Sequence, residues 1–158
     1  MKLLLLLALL NVAKQPGTPI TIESFGFESR VVLPQGWSFT ADRGFIPPPA
    51  LVSSCRVRGQ FYTDRNWDRF LTSVLRSDDR YRTADDARRV HKIGDHPAVT
   101  NRYTRDVFTV RDIYINLADL QPDSGAVFTF EGSNTPAGSD CELQFVAMIH
   151  SARITQRQ

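Results

Sequence analysis

The chain has 158 residues, 42% of them hydrophobic and 23% charged, which suits one globular domain with a core of its own. Its 19 basic and 17 acidic residues leave a formal charge of +2, too weak a field to concentrate nucleic acid or anionic lipid, so nucleic acid is not an expected partner. All basic residues except Lys2, Lys14 and Lys92 are arginines; these suit planar, bidentate contacts at a protein surface, and they also follow from a base composition favouring arginine codons.

At the N-terminus, Lys2 precedes an apolar run from Leu3 to Leu10, and polar, turn-forming residues resume at Lys14. This charge, core and exit order predicts a signal peptide over residues 1–14, with a single domain over residues 20–156. The run is too short to cross a bilayer as a helix, which takes about 20 residues, so no stable membrane insertion is expected once it is removed. Ala13 fits the last position before cleavage, whereas Asn11 fits poorly two places earlier. A buried N-terminal helix is the alternative reading.

Residues 27–33 alternate, with Phe27, Val31 and Leu33 on one face and Glu28 and Arg30 on the other, as in a half-buried strand. Pro34, Gln35 and Gly36 then turn the chain. Residues 39–49 combine Phe39, Asp42, Arg43, Phe45 and Ile46 with a run of three prolines, and read as an irregular loop, because proline removes a backbone donor and fixes φ. Apolar anchors beside an arginine on a stiff loop are ingredients of an interface centre, which makes these five residues a candidate partner-binding loop. The competing reading has Phe39 and Phe45 fold back over one end of the core.

A second strand is predicted over residues 51–57, and a helix over residues 67–76, where Trp67, Phe70, Leu71, Val74 and Leu75 share a core-facing stripe. Thr63 or Asp64 would cap it. A polar stretch to residue 86 follows, then strands over 88–93, 98–104 and 110–117, the first two joined by a turn at Gly94, Asp95, His96 and Pro97. Another turn at residues 121–125 leads to a strand over 126–130. Asp140 would cap a final helix carrying Cys141, Phe145, Met148 and Ile149 on one stripe. The expected class is α+β: an antiparallel sheet flanked by helices, in two layers or three.

Cys55 and Cys141 are the only cysteines, and an even count in an exported chain favours a disulfide over two buried thiols or a metal pair lacking its other ligands. Such a bond, closing about 86 residues, would stabilise by about 4 to 5 kcal/mol in the chain-entropy picture.

No catalytic signature accompanies these elements. His91 and His96 flank a turn with Asp95 and could converge, but neither they nor His150 has ligand spacing such as HExxH. No GxSxG motif is present, and Gly125 and Gly132 stand outside any phosphate-cradling loop. The acidic pairs Asp78–Asp79 and Asp85–Asp86 lack calcium-loop spacing and read as a solvated connection. No cofactor, metal or catalytic residue is expected.

Four segments, VVLPQGW at 31–37, IGDHPAVTNRY at 93–103, RDIYINLADL at 111–120 and FVAMIHSARI at 145–154, resemble the PsbP/Mog1/DcrB-like family. That resemblance implies an α/β/α sandwich of the PsbP/Mog1 type that binds partners, with some bacterial members exported or acting as immunity proteins. It transfers no active site. The expected function is therefore that of a non-enzymatic, periplasmic or secreted protein-binding or accessory protein; an immunity protein inhibiting a secreted toxic enzyme is the alternative, and an enzyme with a dispersed site the third.

Overall fold

A computed structural model describes residues 17–78, 88–133 and 139–158. The expected signal peptide and most of the acidic stretch after the first helix lie outside these residues, as do the side chains of Asp78 and Asp79.

The chain folds as ten strands and two helices among the described residues: β1 (Thr18–Ser24), β2 (Phe27–Leu33), β3 (Ser38–Thr40), β4 (Gly44–Ile46), β5 (Cys55–Tyr62), α1 (Trp67–Asp78), β6 (Arg88–Ile93), β7 (His96–Arg105), β8 (Phe108–Asn116), β9 (Gly125–Ser133), α2 (Asp140–His150) and β10 (Arg153–Gln156). They form three antiparallel sheets: five strands in the order β5-β9-β8-β7-β6, three in the order β1-β2-β10, and the two-stranded β3-β4.

This corrects the expected α/β/α sandwich. Strands make up 52% and helices 17% of the structure, spread over three sheets, so the fold is β-rich. The physical reason lies at the two ends of the chain. Residues 18–24, which carry no long apolar run, pair with β2 through a tight turn at Phe25 and Gly26, both with positive φ (50° and 83°) as a two-residue hairpin requires. Four residues after α2 then close the other side of β2. A second sheet thus shares the layer in which a helical cover was expected.

One face of the five-stranded sheet builds the core. The registers Val57↔Phe130, Ile113↔Phe128 and Ala98↔Ile115 place these residues on one side. They meet Phe145, Met148 and Ile149 of α2, Phe27, Val31 and Leu33 of β2, and Ile154 of β10. Phe130 and Phe145 stack with ring centroids 5.9 Å apart. The α2 stripe is buried as its spacing predicts, although Ser139, not Asp140, caps the helix by accepting from the Glu142 amide.

Other local differences share one cause, hydrogen bonding that residue type alone does not specify. Asn66, instead of Thr63 or Asp64, accepts from the Arg69 amide at the start of α1. The strand expected over 51–57 runs over Cys55–Tyr62. The predicted loop over 39–49 contains a β-hairpin, with the prolines following it. His96 and Pro97 belong to β7, leaving Gly94 (φ 59°) and Asp95 as the turn.

Candidate functional site

The hairpin β3-β4 holds the five residues singled out as a recognition loop. Phe39↔Phe45 pair across it with rings 5.2 Å apart, and Phe45 reaches inward to Phe128 at 6.3 Å. Phe45 is therefore buried, Phe39 and Ile46 are half-buried, and Asp42 and Arg43 are exposed at the tip. Arg43 donates its amide to the Thr40 hydroxyl (3.3 Å). A hydrogen bond from Thr40, aided by the Arg43 charge, holds the Asp42 carboxyl below the ordinary carboxylate range.

Beside this hairpin opens a cleft of about 630 Å³. Thr21 to Ser24 of β1 form one wall, and Val57, Arg58 and Gly59 of β5 another. Both strands are sheet edges among the described residues. The apolar floor comes from Phe45, Phe61 and Phe128. Gly59 makes that floor possible, because a Cβ there would come within 2.9 Å of the Phe128 ring. Asp42, Arg43 and Glu23 give the rim its charges, with Glu23 tied to Arg157 at 2.6 Å.

A second cleft, about 390 Å³, lies on the opposite face of the five-stranded sheet, partly under α1. Here Asp112 is 5% exposed and accepts from the hydroxyls of Tyr103 (3.0 Å), Tyr114 (3.1 Å) and Thr129 (2.5 Å). Phe70 of α1 packs on Tyr62 and Tyr114, with centroids 4.6 and 6.1 Å away. Burial pushes the Tyr62 phenol well above its ordinary range, against the opposing pull of Arg65. The α1 stripe is thus half-buried on an outer face, and does not enter the core. Sequence reasoning missed this cluster: the alternation of Asp112 and Tyr114 was visible, but only the register Asp112↔Thr129 joins them to β9.

The cysteines form the Cys55–Cys141 disulfide, with Cα atoms 6.3 Å apart, joining the start of β5 to the first turn of α2. Next to it, the buried Glu142 carboxylate accepts from Arg102 (3.1 Å) and Arg111 (2.7 Å). His91 and His96 do not converge. His91 bonds the Thr100 hydroxyl (2.6 Å) and stacks on His150 at 5.1 Å, whereas His96 links Asp119 to the Ile154 carbonyl. Among the described residues, no three His, Cys, Asp or Glu side chains are grouped to hold a metal ion, and no helix is long and apolar enough to cross a membrane.

No known family model matches the chain, and no curated protein matches it.

Proposed function

We propose that this is an exported, non-enzymatic binding domain that works in the periplasm or outside the cell, where it engages another protein through the cleft beside the β3-β4 hairpin. The observation that carries the reading is that cleft: about 630 Å³ of space between the edges of β1 and β5, with an aromatic floor and exposed Asp42 and Arg43 at its rim. An edge strand carries backbone donors and acceptors that an extended partner segment can complete, and apolar pockets beside it take alternate side chains. The Cys55–Cys141 disulfide supports an oxidising compartment. The resemblance to exported PsbP/Mog1/DcrB-like proteins points the same way.

Because Phe45 is core, Asp42 and Arg43 are the residues to change. Chemical cross-linking in envelope extracts, followed by capture of the tagged chain, should recover a partner with the natural protein and lose most of it with Asp42→Ala plus Arg43→Ala, at unchanged melting temperature. Equal recovery by both proteins would remove the hairpin from recognition. A captured hydrolase inhibited by the natural chain would narrow the role to immunity.

A further inference from the structure

Resting on the reading of the hairpin cleft as a protein-binding site, we propose how the partner is held there. An extended segment of the partner adds as a strand to the free edge of β5, with apolar and acidic residues alternating along it.

The pairing of β5 with β9 fixes which of its backbone groups are free. The Ser133 amide donates to the Ser54 carbonyl (3.0 Å), so in the antiparallel ladder Arg56, Arg58, Gln60 and Tyr62 turn their amides and carbonyls toward β9. Val57, Gly59 and Phe61 turn theirs to the opposite side, where β5 has no ladder partner among the described residues and the cleft opens. β4 brings Phe45 near Gly59 but pairs with β3 alone. Such a row of donors and acceptors is completed by another extended backbone, not by a compact small ligand. Across the cleft, β1 is the poorer edge. The two-residue turn at Phe25 and Gly26 makes Ser24 and Phe27 a hydrogen-bonded pair, so Pro19, Thr21 and Glu23 face outward, and Pro19 has no N–H to give.

An added strand sets its side chains level with those of β5. Residues opposite Val57, Gly59 and Phe61 turn toward the aromatic floor of Phe45, Phe61 and Phe128, and Gly59 lets a neighbouring backbone come close. The residues between them stand beside Arg56 and Arg58, both exposed on the other face. Glu131 is the one acidic residue on β5 and β9; it lies opposite Arg56 and already bonds Arg58 and Arg105, at 3.3 Å each. Three arginines thus draw on a single carboxylate, and the net positive charge beside the edge complements acidic side chains on the added strand.

The test uses the purified full chain and the peptide TVEVEVT, acetylated and amidated at its ends. Binding is expected to saturate, with Kd on the order of 0.1 to 1 mM. At about ten times Kd the Gly59 amide should exchange with solvent about tenfold more slowly by NMR, while the amides of Thr21 and Glu23 keep their rates. In the paired register the valine amides of the peptide face β5 and the glutamate amides face away. N-methylation of the valines should therefore abolish binding, and N-methylation of the glutamates should retain it. The charge-reversed peptide TVKVKVT should bind at least about tenfold more weakly, a difference that salt and the exposed Arg56→Gln should each reduce. Unchanged exchange at Gly59, equal loss from the two methylations, or equal affinity for the acidic and basic peptides would each overturn the proposal. If, in any of those cases, the Asp42 and Arg43 double variant still loses its captured partner, the cleft keeps its protein-binding role and only the strand addition falls.

Discussion

On the inner face of the five-stranded sheet, Ile113, Ile115, Phe128 and Phe130 meet α2 and β2 in a closed apolar layer. One residue along the same strands, on the outer face, stand Asp112, Tyr114, Thr129 and Glu131, which α1 covers only in part. Even the inner face's charges are matched from within, as Glu142 of α2 accepts from Arg102 and Arg111 beneath it. The outer face instead spends its polar groups on a cleft with a rim of exposed arginines. A sheet with period two can in this way devote one face to stability and carry polar groups on the other.

Breaking the inner face should have the largest effect. Phe145 is fully buried, and Phe145→Ala is expected to cost about 3 to 5 kcal/mol in urea unfolding. The half-buried Phe70 on the outer face should lose far less on truncation to alanine, about 1 to 2 kcal/mol. Comparable losses at the two positions would erase the distinction between the faces. Next comes the disulfide, which binds α2 to the edge strand β5. Its reduction should lower stability by about 4 kcal/mol if the denatured chain gains the corresponding freedom, with the melting temperature in reductant as the readout. A smaller effect is expected from Asp112→Asn, which keeps the shape but leaves three hydroxyl donors competing for one amide oxygen. About 1 to 3 kcal/mol should be lost, with the core aromatic signals unchanged by NMR.

These contrasts were unevenly legible in the sequence. The α2 stripe, the β6-β7 hairpin and the cysteine pair could be read because each depends on short-range periodicity, a turn or a cysteine count. The second sheet could not. β1 has only Ile20 and Ile22 to mark it and follows directly on a stretch that reads as signal-peptide exit, while β10 is four residues long. The hairpin is obscured in the sequence by the prolines that follow it; of the two fates that the sequence leaves open for Phe39 and Phe45, Phe45 takes the packing one. The outer cleft needed information no local pattern holds, because Tyr103, Asp112 and Thr129 come from three strands and meet only through pairing register.

The smallest expected effect lies at the border between the two faces, where α2 ends. Burial lowers the His150 pKa below its ordinary 6.5, and the neighbouring charges of His91 and Arg111 lower it further. His91 of β6 stacks on the ring from the sheet side, with Thr100 bonded behind it; Arg102 and Arg111 of the adjoining strands are countered by Glu142 on the helix itself. Since the folded protein resists protonation at this site, the unfolded chain takes up the proton first as pH falls. Stability from neutral His150 is thus fully present above pH 6.5 and is lost as the pH falls below it toward the lowered folded value. His150→Gln should flatten that part of the stability profile between about pH 7 and 5 and leave the profile above it unchanged, as followed by denaturant midpoints at each pH. An unaltered slope would mean that His150 carries no share of the acid sensitivity, leaving the helix end indifferent to the charge it bears.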